Sequence, residues 1–354
     1  MLPYQFRTPS KRCWSVNNLE KNQPVKILTD IQIKQSPYWC EKTDYVGNLS
    51  WRHNIISHIP AKLRNKLGHF LELITIIKHR NKYDVVINAS IRNGQLFSLF
   101  RSIFRIRKPK HIILELMLDE EKNSIRWKIK KMIQKAAFSS VDLVFVSSTG
   151  ETVTYSERLK IPKERFRFLP FHTNVIEPQK MNHSDNYIFS AGKTGRDYGT
   201  LADAVRDINQ KVIIVSDKIS VKNVTFPSNV EVFFDIPYQK YLDLLYRCLL
   251  VVVPLKKLVK STGQVAILEA MALGKPVIAT RTTGTEDYLQ SGLNGILVPV
   301  GDSEALRNAI NSLINDNDLY KNFSSNALES VKKDHTFDRY VNRILQTAIE
   351  VIER

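Results

Sequence analysis

The second half of the chain alternates short apolar runs with stretches of helical period, and few folds accommodate that rhythm. The apolar runs are Tyr187–Ala191, Lys211–Val215, Val230–Phe234, Leu249–Pro254, Pro276–Thr280 and Gly295–Pro299. Helical patterns fill Tyr198–Ile208, Tyr238–Tyr246, Gln264–Leu273 and Ser303–Asn315 between them. A strand apolar at nearly every position must be buried on both faces. Strand, helix, strand with short polar connections therefore predicts a parallel sheet covered on both sides.

The first half repeats the rhythm less cleanly. Its strand candidates are Val25–Ile31, Val85–Asn88, Ile112–Met117 and Leu143–Ser147, and its helix candidates are Ala61–His79, Gln95–Phe104, Ile125–Phe138 and Glu151–Leu159. Residues 1–24 and 32–58 show no firm period. The polar stretch Ile161–Asp185, with Pro162, Pro170 and Pro178, reads as an inter-domain connection. At 354 residues the chain has room for two domains. The boundaries expected are a basic first domain over 1–180, a second over 181–335, and a last helix over 336–354 that packs back across the junction.

Charge is distributed unevenly. Residues 1–180 hold 32 Lys and Arg against 15 Asp and Glu, whereas residues 181–354 hold 20 of each, so the whole excess of +17 lies in the first half. Such a field attracts phosphate-bearing lipid, nucleic acid or another anion, or it serves solubility. Phe97–Lys110 and Ile125–Lys135 interleave bulky apolar and basic residues at helical spacing. That pattern fits a helix lying on an anionic membrane, or an ordinary helix with one core face and one solvated basic face. No apolar run is long enough to span a bilayer, and Met1–Ser10 lacks a signal-peptide core. Cys13, Cys40 and Cys248 are few and scattered, which fits reduced thiols in a cytosolic protein rather than a disulfide framework or a metal site.

The segment Ser261–Thr280 carries the most chemistry. Ser261 or Thr262 is available to cap a helix, with Ser261 and Gln264 at capping-box spacing, and Gly274 and Pro276 punctuate its end. A helix that starts at a small-residue turn just past a strand presents free N–H groups and a positive dipole end, a ready anion site. Glu269 is the only charged residue from Val265 to Leu273. A carboxylate on so apolar a helix needs a partner: a ribose diol, or a nearby Lys or Arg.

Residues Gly263–Gly301, through Leu268-Glu-Ala-Met-Ala-Leu-Gly-Lys-Pro-Val-Ile-Ala-Thr280, Gly284 and Gly292–Asp302, resemble the donor domain of GT-B retaining glycosyltransferases of family 4. The resemblance covers roughly residues 185–335 well and the first half in outline. It implies an α/β fold of two Rossmann-like, doubly wound domains facing a cleft. Glu269 matches the second Glu of the family's Glu-x7-Glu motif, which the resemblance assigns to the nucleotide ribose. The first Glu falls at Ser261, a departure at a position that in the family contacts donor-sugar hydroxyls. Thr262, Gly263, Gln264 and Val265 line the same donor turn, the last two through backbone N–H groups. Gly192, Lys193 and Arg196, in Phe189-Ser-Ala-Gly-Lys-Thr-Gly-Arg-Asp-Tyr-Gly-Thr-Leu201, match the glycine-rich turn that grips the donor diphosphate, with the order of cations reversed. Glu115 falls near the acceptor-side polar position; an acceptor contact and a structural ion pair are both open.

The implied activity is transfer of a sugar from a nucleoside diphosphate sugar to an acceptor hydroxyl, with retention, and with no metal or cofactor beyond the donor. Its partners would be the nucleotide sugar, a glycan or lipid-linked acceptor in polysaccharide biosynthesis, and an anionic membrane surface. The place expected is the cytoplasm, peripheral on the cytoplasmic face. Alternatives are a GT-B epimerase or phosphorylase, or a nucleic-acid-binding protein, against which stands the lack of a recognised nucleic-acid module.

Overall fold

The computed structural model describes residues 25–49, 61–121, 123–180 and 185–354. Residues 1–24, with Cys13 and the chain start, and residues 50–58 of the second aperiodic stretch lie outside the described residues. Among the described residues the strands form two six-stranded sheets, each wholly parallel. The first comprises β1 (Ile27–Thr29), β2 (Thr43–Tyr45), β3 (Val85–Asn88), β4 (Lys110–Ile113), β5 (Leu143–Val146) and β6 (Phe166–Phe168), in the order β2-β1-β3-β4-β5-β6. The second comprises β7 (Tyr187–Ala191), β8 (Lys211–Ser216), β9 (Val230–Phe234), β10 (Leu250–Val253), β11 (Val277–Thr280) and β12 (Ile296–Val298), in the order β12-β11-β10-β7-β8-β9. Both are Rossmann-like α/β domains.

Burial explains the apolar runs. Every residue of β3, β5, β7, β10 and β11 is buried, with helices over both faces and separate core clusters on each side of the second sheet. Edge strand β9 is only half covered. The helix Gln264–Ala272 is buried on all sides except at Val265.

The structure corrects several boundaries. The strand expected over Ile112–Met117 runs over Lys110–Ile113. Glu115 therefore lies beyond the strand, with a left-handed φ of 53°. The stretch read as a connection contains β6, paired in parallel with β5. Within the aperiodic region the chain forms a short helix Pro37–Lys42 capped by Ser36, then β2. A further helix, Asn317–Asp334, packs on Gln264–Ala272. The last helix, Phe337–Glu353, lays Tyr340, Val341, Ile344, Leu345, Ala348 and Val351 against the first sheet.

In each sheet the strand order reverses once, between β1 and β3 and between β7 and β10. Loops leaving the C-terminal ends of adjacent strands there diverge to opposite faces and open a crevice, the usual ligand position in such sheets.

Candidate functional site

At the second sheet's reversal, the loops after β7 and β10 are zipped together. Asp197 N donates to Pro254 O (3.0 Å), Lys256 N donates to Gly195 O (2.9 Å), and Arg196 and Leu255 form a β-bridge. Gly192 turns with φ 128°, and a Cβ there would land on the Arg196 guanidinium. Arg196 is folded beneath its own loop. Its Nε donates to Ala191 O (2.8 Å) and its Nη1 to Thr194 O (3.3 Å). It is only 8% exposed, and among the described residues no carboxylate pairs with it. Burial lowers its pKa from the ordinary value, offset partly by Tyr198 and Tyr241. A buried cation held only by carbonyls is costly until an anion reaches it.

Lys193 behaves differently. It is exposed and bonded to Asp235 Oδ1 at 2.9 Å. The two cations singled out in the sequence thus divide into one buried under the turn and one surface pair.

Opposite them, the helix Gln264–Ala272 begins at Gly263, whose φ of 97° is a left-handed conformation that suits glycine. Neither Ser261 nor Thr262 caps the helix, and no side chain does. An uncapped first turn leaves the Gln264 and Val265 amides directed outward. Gln264 is 8% exposed, and among the described residues its Nε2 has no hydrogen-bond partner. Thr262 stands against Gly195 of the other loop.

Glu269 is buried, and its partners are neutral donors rather than a Lys or Arg. Asn174 Nδ2 (2.9 Å) and Tyr238 Oη (3.1 Å) donate to Oε1, and Tyr241 Oη donates to Oε2 (2.6 Å). The two tyrosine rings stack at 5.6 Å. Burial pushes the Glu269 carboxyl above its ordinary pKa, and the three donors oppose that.

The two domains meet at Ser261. Its amide donates to Glu151 Oε1 (2.7 Å), a fully buried carboxylate from the first domain that also accepts from Tyr155 Oη (2.9 Å) and, through Oε2, from Ser147 N (2.8 Å). Burial raises the Glu151 pKa against these bonds. Around it, Thr149 bonds Asp287 through N and Oγ1 (both 2.7 Å), and Tyr288 Oη donates to Ser147 O (2.9 Å) while accepting from Phe171 N (3.1 Å). Glu115 accepts from Tyr340 Oη at 2.8 Å. Its partner is a tyrosine of the returning last helix, not the cation an ion pair needs. No local sequence signal marks Glu151, which reads as one more polar residue in a helix's first turn. Beside this junction a groove of about 620 Å³ separates Asp119, Glu120, Ser124, Arg126, Trp127 and Lys130 from Thr194, Leu258 and Lys260.

Comparison with known proteins identifies the second half. The family described as Glycosyl transferases group 1 matches residues 202–330. Those residues are a glycosyl transferases group 1 domain. An uncharacterized glycosyltransferase of Methanocaldococcus jannaschii is 32% identical over 139 residues, 38% of this chain and 39% of that protein. O-antigen chain mannosyltransferase C of Escherichia coli is 26% identical over 243 residues, 61% of this chain and 63% of the relative. Each match spans less than two thirds of the relative's length. Among solved structures, sucrose-phosphate synthase from Thermosynechococcus elongatus superposes with a TM-score of 0.64 at 19% identity, over 88% of this chain and 83% of that one. HepE of Anabaena in complex with UDP-glucose gives 0.61 at 18% identity, over 80% and 84%. The fold is therefore that of GT-B glycosyltransferases.

The second domain supplies Arg196, Gln264 and Glu269; the first domain has a polar cluster of its own at the reversal between β1 and β3. Asp30 Oδ1 accepts from Ala89 N (2.7 Å) and Ser90 N (3.4 Å), and its Oδ2 accepts from Asn88 Nδ2 (2.8 Å) and Asn93 Nδ2 (3.4 Å). Asn93 also reaches Glu72 Oε2 at 2.8 Å, and buried His111 sits 2.9 Å from Asn88 Oδ1. Burial pushes the Asp30 pKa from 3.8 to about 6; bonds from Asn88, Ala89 and Ser90 pull it down, and Glu72 pushes it up. A carboxyl whose folded pKa is raised holds its proton more tightly when folded. Its contribution to stability is therefore greatest at low pH and is lost as pH rises from about 4 to about 6, by about 3 kcal/mol. Denaturant unfolding of wild type and Asp30→Asn at pH 4 and pH 7 should show the wild type losing that much more than the variant. Equal pH slopes would place Asp30 outside the titration.

Proposed function

We propose that the protein is a glycosyltransferase that moves a sugar from a nucleoside diphosphate sugar to an acceptor hydroxyl. The observation that carries this reading is the convergence, at the reversal of the second sheet, of an anion-less buried Arg196, the open first turn at Gln264 and Val265, and the orphaned Gln264 Nε2. These groups fit the diphosphate. As the anomeric carbon–oxygen bond breaks, its electron pair leaves on the diphosphate, and positive groups already in place lower the cost of that charge. The acceptor hydroxyl forms the new bond and gives up its proton to the departing group. Lys193 reaches the phosphates by exchanging Asp235 for them. With this charge supplied by the chain itself, the reaction is proposed to be metal-independent, and by the family resemblance to proceed with retention.

Glu269 remains the proposed ribose ligand, with one change that its surroundings demand. Its carboxylate is already satisfied, so the diol must displace a donor, and the Tyr238 hydroxyl makes the longest of the three bonds. Ser261 offers no carboxylate to the sugar, so the Ser261–Thr262 turn contacts it by hydroxyl and backbone. Glu115, in strained backbone past β4, is the carboxylate proposed for the acceptor side. Polysaccharide or glycolipid precursors are the proposed acceptors, in keeping with the O-antigen role named for one relative.

Calorimetric titration with a sugar-nucleotide panel, beginning with UDP-glucose, tests the reading. Glu269→Gln should weaken the donor that binds by about 1–3 kcal/mol. Tyr238→Phe removes the competing hydroxyl and should tighten it. If Tyr238→Phe weakens binding while Glu269→Gln leaves it unchanged, the carboxylate serves the fold and not the ribose.

A further inference from the structure

The helix Ile125–Phe138 has two apolar faces, and among the described residues only one is covered. Gln134, Ala137 and Phe138 face the core. Ile125, Ile129, Met132 and Ile133, spaced by three and four, fall on the opposite side and are 77%, 49%, 66% and 49% exposed. Arg126 and Lys130 border this stripe on one flank, and Lys128, Lys131 and Lys135 on the other. An ordinary domain helix would turn a solvated basic face outward; here the outward face is aliphatic with cations along both edges. The neighbouring helix Ile91–Ile103 packs beside it and ends in Ile103 and Phe104, 66% and 64% exposed, followed by exposed Arg105, Arg107 and Lys108. Arg101 ties that turn to the end of the first helix, donating to Ser140 O (2.7 Å) and Arg107 O (3.2 Å).

We propose that this face docks on a bilayer leaflet carrying anionic phospholipid, with the helix lying in the plane of the head groups. An exposed aliphatic stripe is stabilised by insertion among acyl chains, and cations at its edges lie level with lipid phosphates. Lys130 and Lys131 are partly neutralised by Asp119 (3.5 Å) and Glu121 (2.8 Å), whereas among the described residues no carboxylate pairs with Arg126, Lys128 or Lys135. A nucleic-acid backbone would use the cations but leave Ile125, Ile129, Met132 and Ile133 without a partner. Ser124, Arg126, Trp127 and Lys130 also form one wall of the inter-domain groove, so docking sets the groove mouth at the lipid surface, where the head of an amphiphilic acceptor enters it. The docking stands on the exposed face alone; only the acceptor's route rests on the proposed activity.

Co-sedimentation of the full chain with vesicles of phosphatidylcholine, with and without phosphatidylglycerol, tests it. Partition onto the acidic vesicles should exceed that onto the neutral ones at least roughly tenfold near 0.1 M salt and fall as salt rises. Ile129→Glu with Ile133→Glu, and separately Lys128→Glu with Lys135→Glu, should each reduce that partition about tenfold or more. Both double variants should keep the wild-type calorimetric response to sugar nucleotides, which separates a failure of docking from a failure of the donor site. Equal, negligible binding to both vesicle types would overturn the proposal. So would a wild-type dimer that Ile129→Glu dissolves without vesicle binding, which would assign the face to a second copy of the chain.

Discussion

Replacing Arg196 with alanine is expected to lower turnover on the order of 10²–10³-fold, the usual cost of losing one preorganised group that meets charge developing in the transition state. Binding of the free nucleoside should change far less, because a nucleoside carries no diphosphate for the guanidinium to meet. Arg196 also supports that turn through Ala191 O and Thr194 O. Turnover and KM therefore need to be read separately, with Arg196→Lys as the partner variant. Lysine keeps the charge but lacks the fork that holds both carbonyls, so it should recover part of the rate. Steady-state kinetics in which Arg196→Ala equals wild type would return the residue to a purely structural role.

The second large effect is expected at Glu151, which sequence inspection passes over. Glu151→Ala leaves the amides of Ser147 and Ser261 and the Tyr155 hydroxyl without their acceptor at a buried junction, at a cost of about 2–5 kcal/mol. Glu151→Gln retains one acceptor oxygen and should fall between alanine and wild type. Denaturant unfolding measures both. Because Ser261 begins the turn that opens the helix Gln264–Ala272, proposed to hold the donor, loosening it should also raise the KM for the donor, which a packing defect elsewhere would not do. Unfolding curves that coincide for all three proteins would show that the inter-domain bonds contribute nothing to stability.

Glu269 and Glu151 also show where reading the sequence stops. A lone acid in the apolar run Val265–Leu273 announces a buried polar cluster, because burying it demands a partner whatever the fold. Its actual partners, Asn174, Tyr238 and Tyr241, lie 95, 31 and 28 residues away, and no local pattern names them. The turn at Gly192–Arg196 was legible as a glycine-rich loop between strand and helix. That Arg196 lies beneath it while Lys193 lies outside depends on how the loop after β10 closes over it.

What the amino-acid order determined by itself is the layered α/β architecture. Runs such as Val85–Asn88 and Leu250–Val253 are apolar at almost every position, and burying both faces of a strand requires helices above and below a parallel sheet. Those constraints act over a few residues, so they survive in the sequence. Tertiary structure alone decided the rest. Phe166–Phe168 is a strand only because β5 offers it an edge, since three residues carry no readable period. The helix Ile125–Phe138 contains enough apolar residues for either face to be the core. The sheet and the helix Ile91–Ile103 bury Gln134, Ala137 and Phe138 and leave the isoleucines outside. Ser261 likewise has a capping side chain, but the helix opens two residues later, at Gly263, and the Ser261 amide meets a carboxylate 110 residues earlier in the chain, because the domains close against each other at that turn and a buried N–H there must find an acceptor.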